Sequence, residues 1–302
     1  MDTFVTVARE LSFSRAAAGL GYVQSSVSSQ VAALEREFGV PLFDRLGRRI
    51  ALTEAGKVML DYSERLLDLA REAGEAVADA RAGSGEVTGS LSVSAPETLL
   101  TYRLPELLTV FHEIHPKVRV SLKPTAVGRL VGTTLRALEE GRVDVAFVLD
   151  VPSVSVEGLS AELLMEEDVS VVAPPTHALA GTTPVDPSNL VGETVLLPEA
   201  PQSGCAYRGR FERQFSEGGV VPRETLEFQS IEAIKRCVSA GMGVTVLPTV
   251  AVEAELAAGT LSELGWQDPI HVGTLMAWNE TRWASPALRA FLKTAREVFS
   301  AS

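Results

Sequence analysis

The feature that most limits the fold is the alternation of strand-like and helix-like segments from residue 89 to the end of the chain. Short apolar runs such as "GSLSVSA" (89–95) and "VDVAFVL" (143–149) alternate with longer segments of helical periodicity. Alternation of this kind predicts a parallel sheet with helices on its faces. Two such runs, starting near residues 89 and 168, predict two small α/β units with a ligand cleft at the carboxyl ends of their strands.

The pattern is specific enough to place individual elements. The further predicted strands are "VRVSLKP" (118–124), "DVSVVAP" (168–174), "TVLLPEA" (194–200), "ETLEFQS" (224–230), "GVTVLPT" (243–249) and "HVGTLMAW" (271–278). The predicted helices of this block cover residues 98–114, 128–140, 207–216, 231–240, 250–258 and 286–299.

Composition is typical of a globular protein with room for two or three domains, since 46% of the 302 residues are hydrophobic and 22% are charged. No apolar run reaches the roughly 18 residues of a membrane span. The first residues carry charges and no cleavage site, so no signal peptide is expected. Two cysteines do not make a disulfide framework. Together these observations predict a cytoplasmic protein without a membrane partner.

The net charge of -12 is unevenly distributed. Residues 1–58 hold seven basic and six acidic residues, so almost all of the negative charge lies in the rest of the chain. Arg45, Arg48 and Arg49 form a tight basic cluster in this first part. Local charge matters more than the total for attracting a polyanion, so the acidic average does not exclude a DNA-binding first domain.

A long helix is predicted over residues 54–82, followed by the Gly/Ser hinge "RAGSGEVTGS" (81–90). Its apolar residues repeat at steps of four and three, as in a coiled coil: Ala55, Met59, Tyr62, Leu66, Leu69, Ala73, Ala76 and Ala80. We expect Met59, Tyr62, Leu66, Leu69 and Ala73 to pair with the same helix of a second copy. The alternative is that this stripe packs onto its own domain.

Two short helices separated by a tight turn precede this helix. Ser14 is expected to cap the first of them, over "SFSRAAAGLG" (12–21), in which Ala16, Ala17 and Leu20 face inward. In the second, "VQSSVSSQVAALEREFG" (23–39), the apolar face consists of Val27, Val31, Leu34 and Phe38. This is a helix-turn-helix, and "LFDRLGRRIALTEAG" (42–56) adds a two-stranded wing that turns at Gly47.

Small side chains let the second helix approach base edges closely, and Ser and Gln can hydrogen-bond to them, Gln pairing well with adenine. Arginines of the wing would contact phosphates or a minor groove. The predicted DNA-binding residues are Arg15, Gln24, Ser25, Ser26, Ser28, Ser29, Gln30, Arg45, Arg48 and Arg49.

The first 56 residues resemble the winged helix-turn-helix of LysR-type transcriptional regulators. "LEREFGVPLFDR" followed by "LTEAG" is a specific signature, and "SAGMGVTVLP" (239–248) and "GCAYRGRFE" (204–212) resemble effector-domain segments, so that the match covers essentially the whole chain. Three features depart from the family: the start is short, Leu11 replaces a common Gly, and Val23 stands where many members have the serine that caps the recognition helix.

The resemblance implies a winged helix-turn-helix, a long dimerising linker helix and an effector domain of two Rossmann-like α/β subdomains, similar to periplasmic binding proteins. It implies DNA and a small-molecule effector as partners, a homodimer or tetramer, and it admits contact with RNA polymerase. The corresponding ranges are 1–58, 59–89 and 90–302, with subdomain one at 90–165 and 267–302 and subdomain two at 166–266.

The effector site is expected where the turn before Thr98 faces the loop "PEAPQSGCAYR" (198–208) across the cleft, as the resemblance implies. Neutral hydroxyls and amides there would orient a small anionic metabolite without the cost of a buried cation. The predicted effector-binding residues are Thr98, Gln202, Ser203, Cys205, Gln229 and Ser230. Thr98 could instead serve only to cap its own helix.

Other functions fit the pattern less well. His112 and His115 are three residues apart, whereas the zinc-protease motif needs two histidines four apart, so no metal site is expected. "GMGVTV" lacks the third glycine of a phosphate-binding fingerprint. No triad order or nucleophile elbow indicates an enzyme, and no cofactor is predicted. A molybdate-type winged-helix regulator and a solute-binding protein remain as alternatives.

Overall fold

The computed structural model describes residues 1–46, 49–81, 86–124, 130–150, 158–198 and 205–301. The chain divides into two compact units, Met1–Gly83 and Ser84–Ser302. The division falls within the Gly/Ser segment predicted as a hinge. The finer three-part division of the chain stays a prediction, and its border at residue 58 lies inside one continuous helix.

The first unit consists of a helix-turn-helix, a two-stranded wing and a long helix. Its elements are α1 (Asp2–Glu10), α2 (Phe13–Leu20), α3 (Gln24–Phe38), β1 (Phe43–Leu46), β2 (Arg49–Leu52) and α4 (Glu54–Arg81). β1 and β2 are antiparallel, with Phe43 opposite Leu52. Phe4, Val27 and Leu42 are at most 1% exposed, and they belong to the small core shared by α1, α3 and the wing.

The second unit is an α/β structure with these elements: β3 (Gly89–Ala95), α5 (Glu97–Tyr102), α6 (Leu104–Ile114), β4 (Val118–Pro124), α7 (Leu130–Glu139), β5 (Val145–Asp150), β6 (Leu159–Ala173), β7 (Thr194–Pro198), α8 (Ala206–Glu217), β8 (Glu224–Phe228), α9 (Ile231–Ser239), β9 (Val244–Pro248), α10 (Glu253–Ala257), β10 (Ser262–Glu263), β11 (Ile270–Asn279) and α11 (Pro286–Ala301). Among the described residues, no helix of either unit is long and apolar enough to cross a membrane.

The strands of the second unit form one sheet in the order β4-β3-β5-β11-β6-β9-β7-β8, and β10 pairs with β6. β3 is parallel to β4 and β5, and β7 is parallel to β8 and β9. β11 is antiparallel to both β5 and β6, and β6 is antiparallel to β9. The prediction of a parallel sheet therefore holds within each half, which we call the first lobe (β3–β5) and the second lobe (β7–β9). It is wrong for β6 and β11, which cross between them.

Two predicted helices differ in the structure. The helix expected over 98–114 is broken at Arg103 into α5 and α6. Pro105 explains the break, because it lacks an amide proton and its ring clashes with the carbonyl four residues earlier. The segment 250–258 is a 3₁₀ turn, Thr249–Ala251, followed by the short α10.

Candidate nucleic-acid interface and ligand cleft

The turn of the helix-turn-helix is set by local caps. The side chain of Ser12 accepts a hydrogen bond from the Arg15 amide at 3.3 Å and begins α2. The prediction that Ser14 caps this helix was wrong by two residues, since Ser14 lies exposed inside the helix. Gly21 ends α2 with φ of 68°, a left-handed conformation that glycine adopts without strain.

The recognition helix α3 starts with unsatisfied donors. Its N-cap is Val23, which has no side-chain cap, as the replacement of the usual serine predicts. The carbonyl of Val23 accepts from the amides of Ser26 and Val27 at 3.0 and 3.3 Å. Within the described residues, the amides of Gln24 and Ser25 have no such partner. Free amides at a helix N-terminus are suited to a phosphate oxygen.

The two faces of α3 separate largely as predicted. Of the apolar face, Val27 and Val31 are buried and Leu34 is half-buried, whereas Phe38 is 51% exposed. Phe38 is the last residue of the helix. On the outer side, four of the predicted contact residues are exposed and two are half-buried: Gln24, Ser25, Ser29 and Gln30, and Ser26 and Ser28.

The Gln30 side chain is held by α1. The hydroxyl of Thr3, which is 9% exposed, donates to Gln30 Oε1 at 2.6 Å. This bond fixes the orientation of the Gln30 amide, whose oxygen keeps a second lone pair and whose NH₂ group can donate. Pairing with adenine uses both ends of a glutamine amide, so a fixed orientation would help Gln30 to read a particular base edge.

The predicted arginines have different surroundings. Arg15 is exposed and pairs with Glu10, through Nε to the carboxylate at 2.9 Å and through Nη2 to the backbone carbonyl. An exposed pair of this kind stabilises little, so Arg15 can exchange its partner for a phosphate. Arg45 and Arg49 lie on β1 and β2. Arg48 and the predicted turn at Gly47 lie outside the described residues.

The signature around the wing has a structural explanation. Glu35 of α3 accepts hydrogen bonds from the amides of Leu42 and Phe43, at 2.8 and 3.3 Å, and so fixes the start of β1. Thr53 accepts from the Gly56 amide at 2.9 Å and donates to the Pro41 carbonyl at 2.8 Å. This threonine therefore caps α4 and ties it to the segment before the wing.

Helix α4 has two apolar faces, whereas the heptad pattern suggested one. Met59 is 9% exposed and packs in the core of the first unit, with Leu60 and Leu67 against the same cluster. Met59 was therefore wrongly assigned to the dimer stripe. The other predicted dimer residues are exposed: Tyr62 (56%), Leu66 (51%), Leu69 (54%) and Ala73. Val58 and Val77, at 58% and 64%, extend this exposed stripe at both ends.

The second unit contains a narrow, partly open cleft between its two lobes. It is lined by Pro96, Glu97, Thr98, Leu149, Pro198, Cys205, Ala206, Tyr207, Gln229 and Ile231. Three of the predicted effector residues, Thr98, Cys205 and Gln229, are thus brought together from distant parts of the chain. Gln202 and Ser203 lie outside the described residues.

Thr98 lines the cleft from the first turn of α5. It is the second residue of α5, whose N-cap is Pro96 without a side-chain cap, so the capping role considered for Thr98 is wrong. Its side chain is only 3% exposed. Among the described residues its hydroxyl has no hydrogen-bond partner, and it lines the cleft. The oxygen itself is not fully buried, because it faces the cleft, where a ligand atom could exchange a hydrogen bond with it.

The remaining cleft residues refine the prediction. Ser230 caps α9 by accepting from the Ala233 amide at 3.5 Å, so its hydroxyl is already used there. Glu97 Oε2 accepts from the Ile231 amide, also at 3.5 Å. Leu149 and Tyr207 were not predicted. Leu149 lies near the carboxyl end of the buried strand β5, and Tyr207 lies two residues after Cys205. Strand ends and nearby residues in the chain were therefore the signals that could have indicated them.

Of the two histidines considered for a metal site, His112 is exposed on α6 and His115 packs at the end of that helix. The His115 ring lies 5.1 Å from that of Phe111. In the part of the chain that the structure describes, no group of three or more His, Cys, Asp or Glu residues could hold a metal ion.

Comparison with known proteins identifies the family of both parts of the chain. Residues 1–57 match the model of bacterial regulatory helix-turn-helix proteins of the lysR family, and residues 84–300 match that of the LysR substrate binding domain. This chain belongs to the LysR family. It is a LysR-type transcriptional regulator with a DNA-binding and an effector-binding domain. The two matches in one chain favour this assignment over the molybdate-type and solute-binding alternatives.

The similarity to individual LysR-type proteins extends over whole chains. The chain is 39% identical over 297 residues to the uncharacterized HTH-type transcriptional regulator YwqM of Bacillus subtilis (strain 168), covering 98% of this chain and 97% of YwqM. It is 33% identical to the RuBisCO operon transcriptional regulator of Allochromatium vinosum, covering 96% and 92%. Full-length CbnR in complex with its target DNA has the same fold, with a TM-score of 0.71 at 22% identity over 98% of each chain.

Proposed function

We propose that this LysR-type regulator binds DNA as a dimer through α3 and the wing, and that a small polar metabolite in the cleft controls it. Such a regulator acts on chromosomal DNA, which would place the protein in the cytoplasm, and we propose no catalytic role. The exposed Ser/Gln face of α3, together with the free amides at its start, is the observation that supports DNA binding most directly.

Selection from a randomised pool of double-stranded DNA tests this interface. We expect the wild-type protein to enrich a site with two half-sites, and Gln30→Ala to lose preference at particular base pairs by roughly 1–3 kcal/mol. Thr3→Val should weaken the preference at the same base pairs, because it releases Gln30 Oε1. Thr6→Val is the matched control, since Thr6 bonds only within α1, to the Asp2 carbonyl.

Two results would contradict this assignment. Unchanged base preferences in Gln30→Ala would remove Gln30 from the interface. If Thr3→Val and Thr6→Val behaved alike, the bond from Thr3 would have no part in recognition.

For the effector, we propose a small anion bound to the Thr98 hydroxyl. Gln229 would add an amide donor, and Glu97 is the one charged side chain among the described lining residues. Because the Glu97 carboxylate occupies the amide of Ile231, an anionic effector that uses the N-terminus of α9 would have to replace it there.

A screen of small carboxylates by thermal shift, followed by calorimetry, tests this site. Thr98→Val removes only the hydroxyl and should weaken binding several-fold, whereas Thr98→Ser should retain it. DNA affinity of the unliganded protein should not change in either variant. Equal ligand affinity in all three proteins would place the effector site elsewhere.

A further inference from the structure

Helix α5 of the first lobe is tied to helix α9 of the second lobe beside the cleft. The Tyr102 hydroxyl donates to Glu232 Oε1 at 2.6 Å and accepts from Lys235 Nζ at 3.0 Å. Lys235 also pairs with Glu232 at 2.6 Å and with Glu255 at 2.8 Å. Its ammonium lies 5.4 Å from the centre of the Tyr102 ring. Tyr102 is the member of this group that comes from the other lobe.

The pKa shifts show which members of this group are charged and which is neutral. Burial lowers the pKa of Lys235, but hydrogen bonds to Glu232, Glu255 and Tyr102 more than reverse this, so the pKa is raised overall. Burial and the bond to Glu232 raise the pKa of Tyr102, which keeps its proton. The bonds from Lys235 and Tyr102 lower the pKa of Glu232. At neutral pH a phenol therefore lies between an ammonium and a carboxylate.

The other polar contacts at the two ends of α5 join it to the crossing strand β6 and to the second lobe. Arg103, just after α5, forms a two-bond pair with Glu167 of the crossing strand β6, at 2.8 and 2.7 Å, and Thr274 of β11 also donates to Glu167 at 3.0 Å. Glu97, at the start of α5, bonds the Ile231 amide of α9. One end of α5 is thus anchored to the strand that both lobes share, and its remaining polar contacts reach the second lobe.

We propose that α5 is a clasp that holds the two lobes together in the ligand-free regulator, with Tyr102 as its positioning residue. When the lobes separate, Lys235 keeps its ion pairs with Glu232 and Glu255 of its own lobe and loses only its contact with Tyr102. A hydrogen bond to charged groups shifts such an equilibrium by roughly ten- to hundredfold. Thr98 lies one turn before Tyr102 on the same helix, so an effector at Thr98 would act on the clasp directly; this last step rests on the proposed effector site.

Hydrogen exchange of the full-length, ligand-free protein tests the clasp without any effector. Tyr102→Phe keeps the ring and removes the hydroxyl. Exchange of the amides in α5 and in the first turns of α9 should become roughly tenfold faster, because exchange there requires the contact to open. Exchange in α11, which packs on α6, β3 and β6 and not on α9, should not change. Tyr22→Phe is the matched control, since Tyr22 is exposed in the first unit and should leave residues 86–301 unaltered.

Two outcomes would overturn the clasp. Unchanged exchange in α9 would mean that the Tyr102 hydroxyl does not hold the lobes. Equally faster exchange in α11 would mean that it contributes only to global stability. If Tyr102→Phe speeds exchange as expected while Thr98→Val leaves carboxylate binding unchanged, the proposed effector site is wrong and the clasp is supported.

Discussion

Leu66→Glu is expected to convert the regulator from a dimer to a monomer and to abolish binding to a site with two half-sites. Leu66 lies in the middle of the exposed stripe of α4, between Tyr62 and Leu69, and is 51% exposed in a single chain. In a pair of such helices related by twofold symmetry, the substitution would bury two carboxylates against apolar side chains. Burying an unpaired charge costs several kcal/mol, which exceeds what a short helical seam can offset.

Sedimentation velocity over a range of concentrations measures this effect. Gly74→Glu is the matched control, because it introduces the same charge on the same helix, away from the stripe, where a new side chain meets nothing within 4 Å. The control should remain a dimer. A Leu66→Glu protein that sediments like the wild type would show that the stripe is not the interface.

Gly56→Ala is expected to destabilise the DNA-binding unit severely while leaving the effector-binding unit intact. A Cβ atom at Gly56 would lie 2.0 Å from the Leu42 carbonyl oxygen and 3.0 Å from Leu52 Cδ2. That oxygen is backbone, and it already accepts from the Thr53 amide at 3.1 Å, so it cannot move without disturbing the wing. We expect a loss of roughly 2–4 kcal/mol, as for overpacking of a tight core.

Scanning calorimetry tests this expectation on the full chain. The transition of the first unit should fall by about 10 °C or more, and DNA binding should be lost with it. Gly74→Ala, on the same helix but facing open space, should stabilise by about 0.5–1 kcal/mol, since alanine is the better helix former. If Gly56→Ala and Gly74→Ala had equal effects on stability, the close approach of the Leu42 carbonyl to Gly56 would have no importance.

The sequence was most informative where structure depends on near neighbours. The turn at Gly21, the end of α3 at Gly39 and the span of α4 follow from caps and periodicity within a few residues. The break at Arg103 could also have been predicted, because Pro105 is a local signal. The full length of β6 could not, since its first half is a strand only by pairing with β11, with an irregularity in register between Thr274 and Leu275.

The sequence alone determined the class of most elements and the outward Ser/Gln face of α3, because both depend on spacing along a helix or strand. It also identified Thr98, Cys205 and Gln229 as cleft residues, although only through the family resemblance. The tertiary structure decided what those groups contact. Met59 packs in the core of the first unit, and Thr3 donates a hydrogen bond to the side-chain oxygen of Gln30. Tyr102 accepts a hydrogen bond from Lys235, 133 positions away in the chain. Such contacts are set by how helices pack, and no periodicity within one helix records which side chain of a distant helix will lie opposite it.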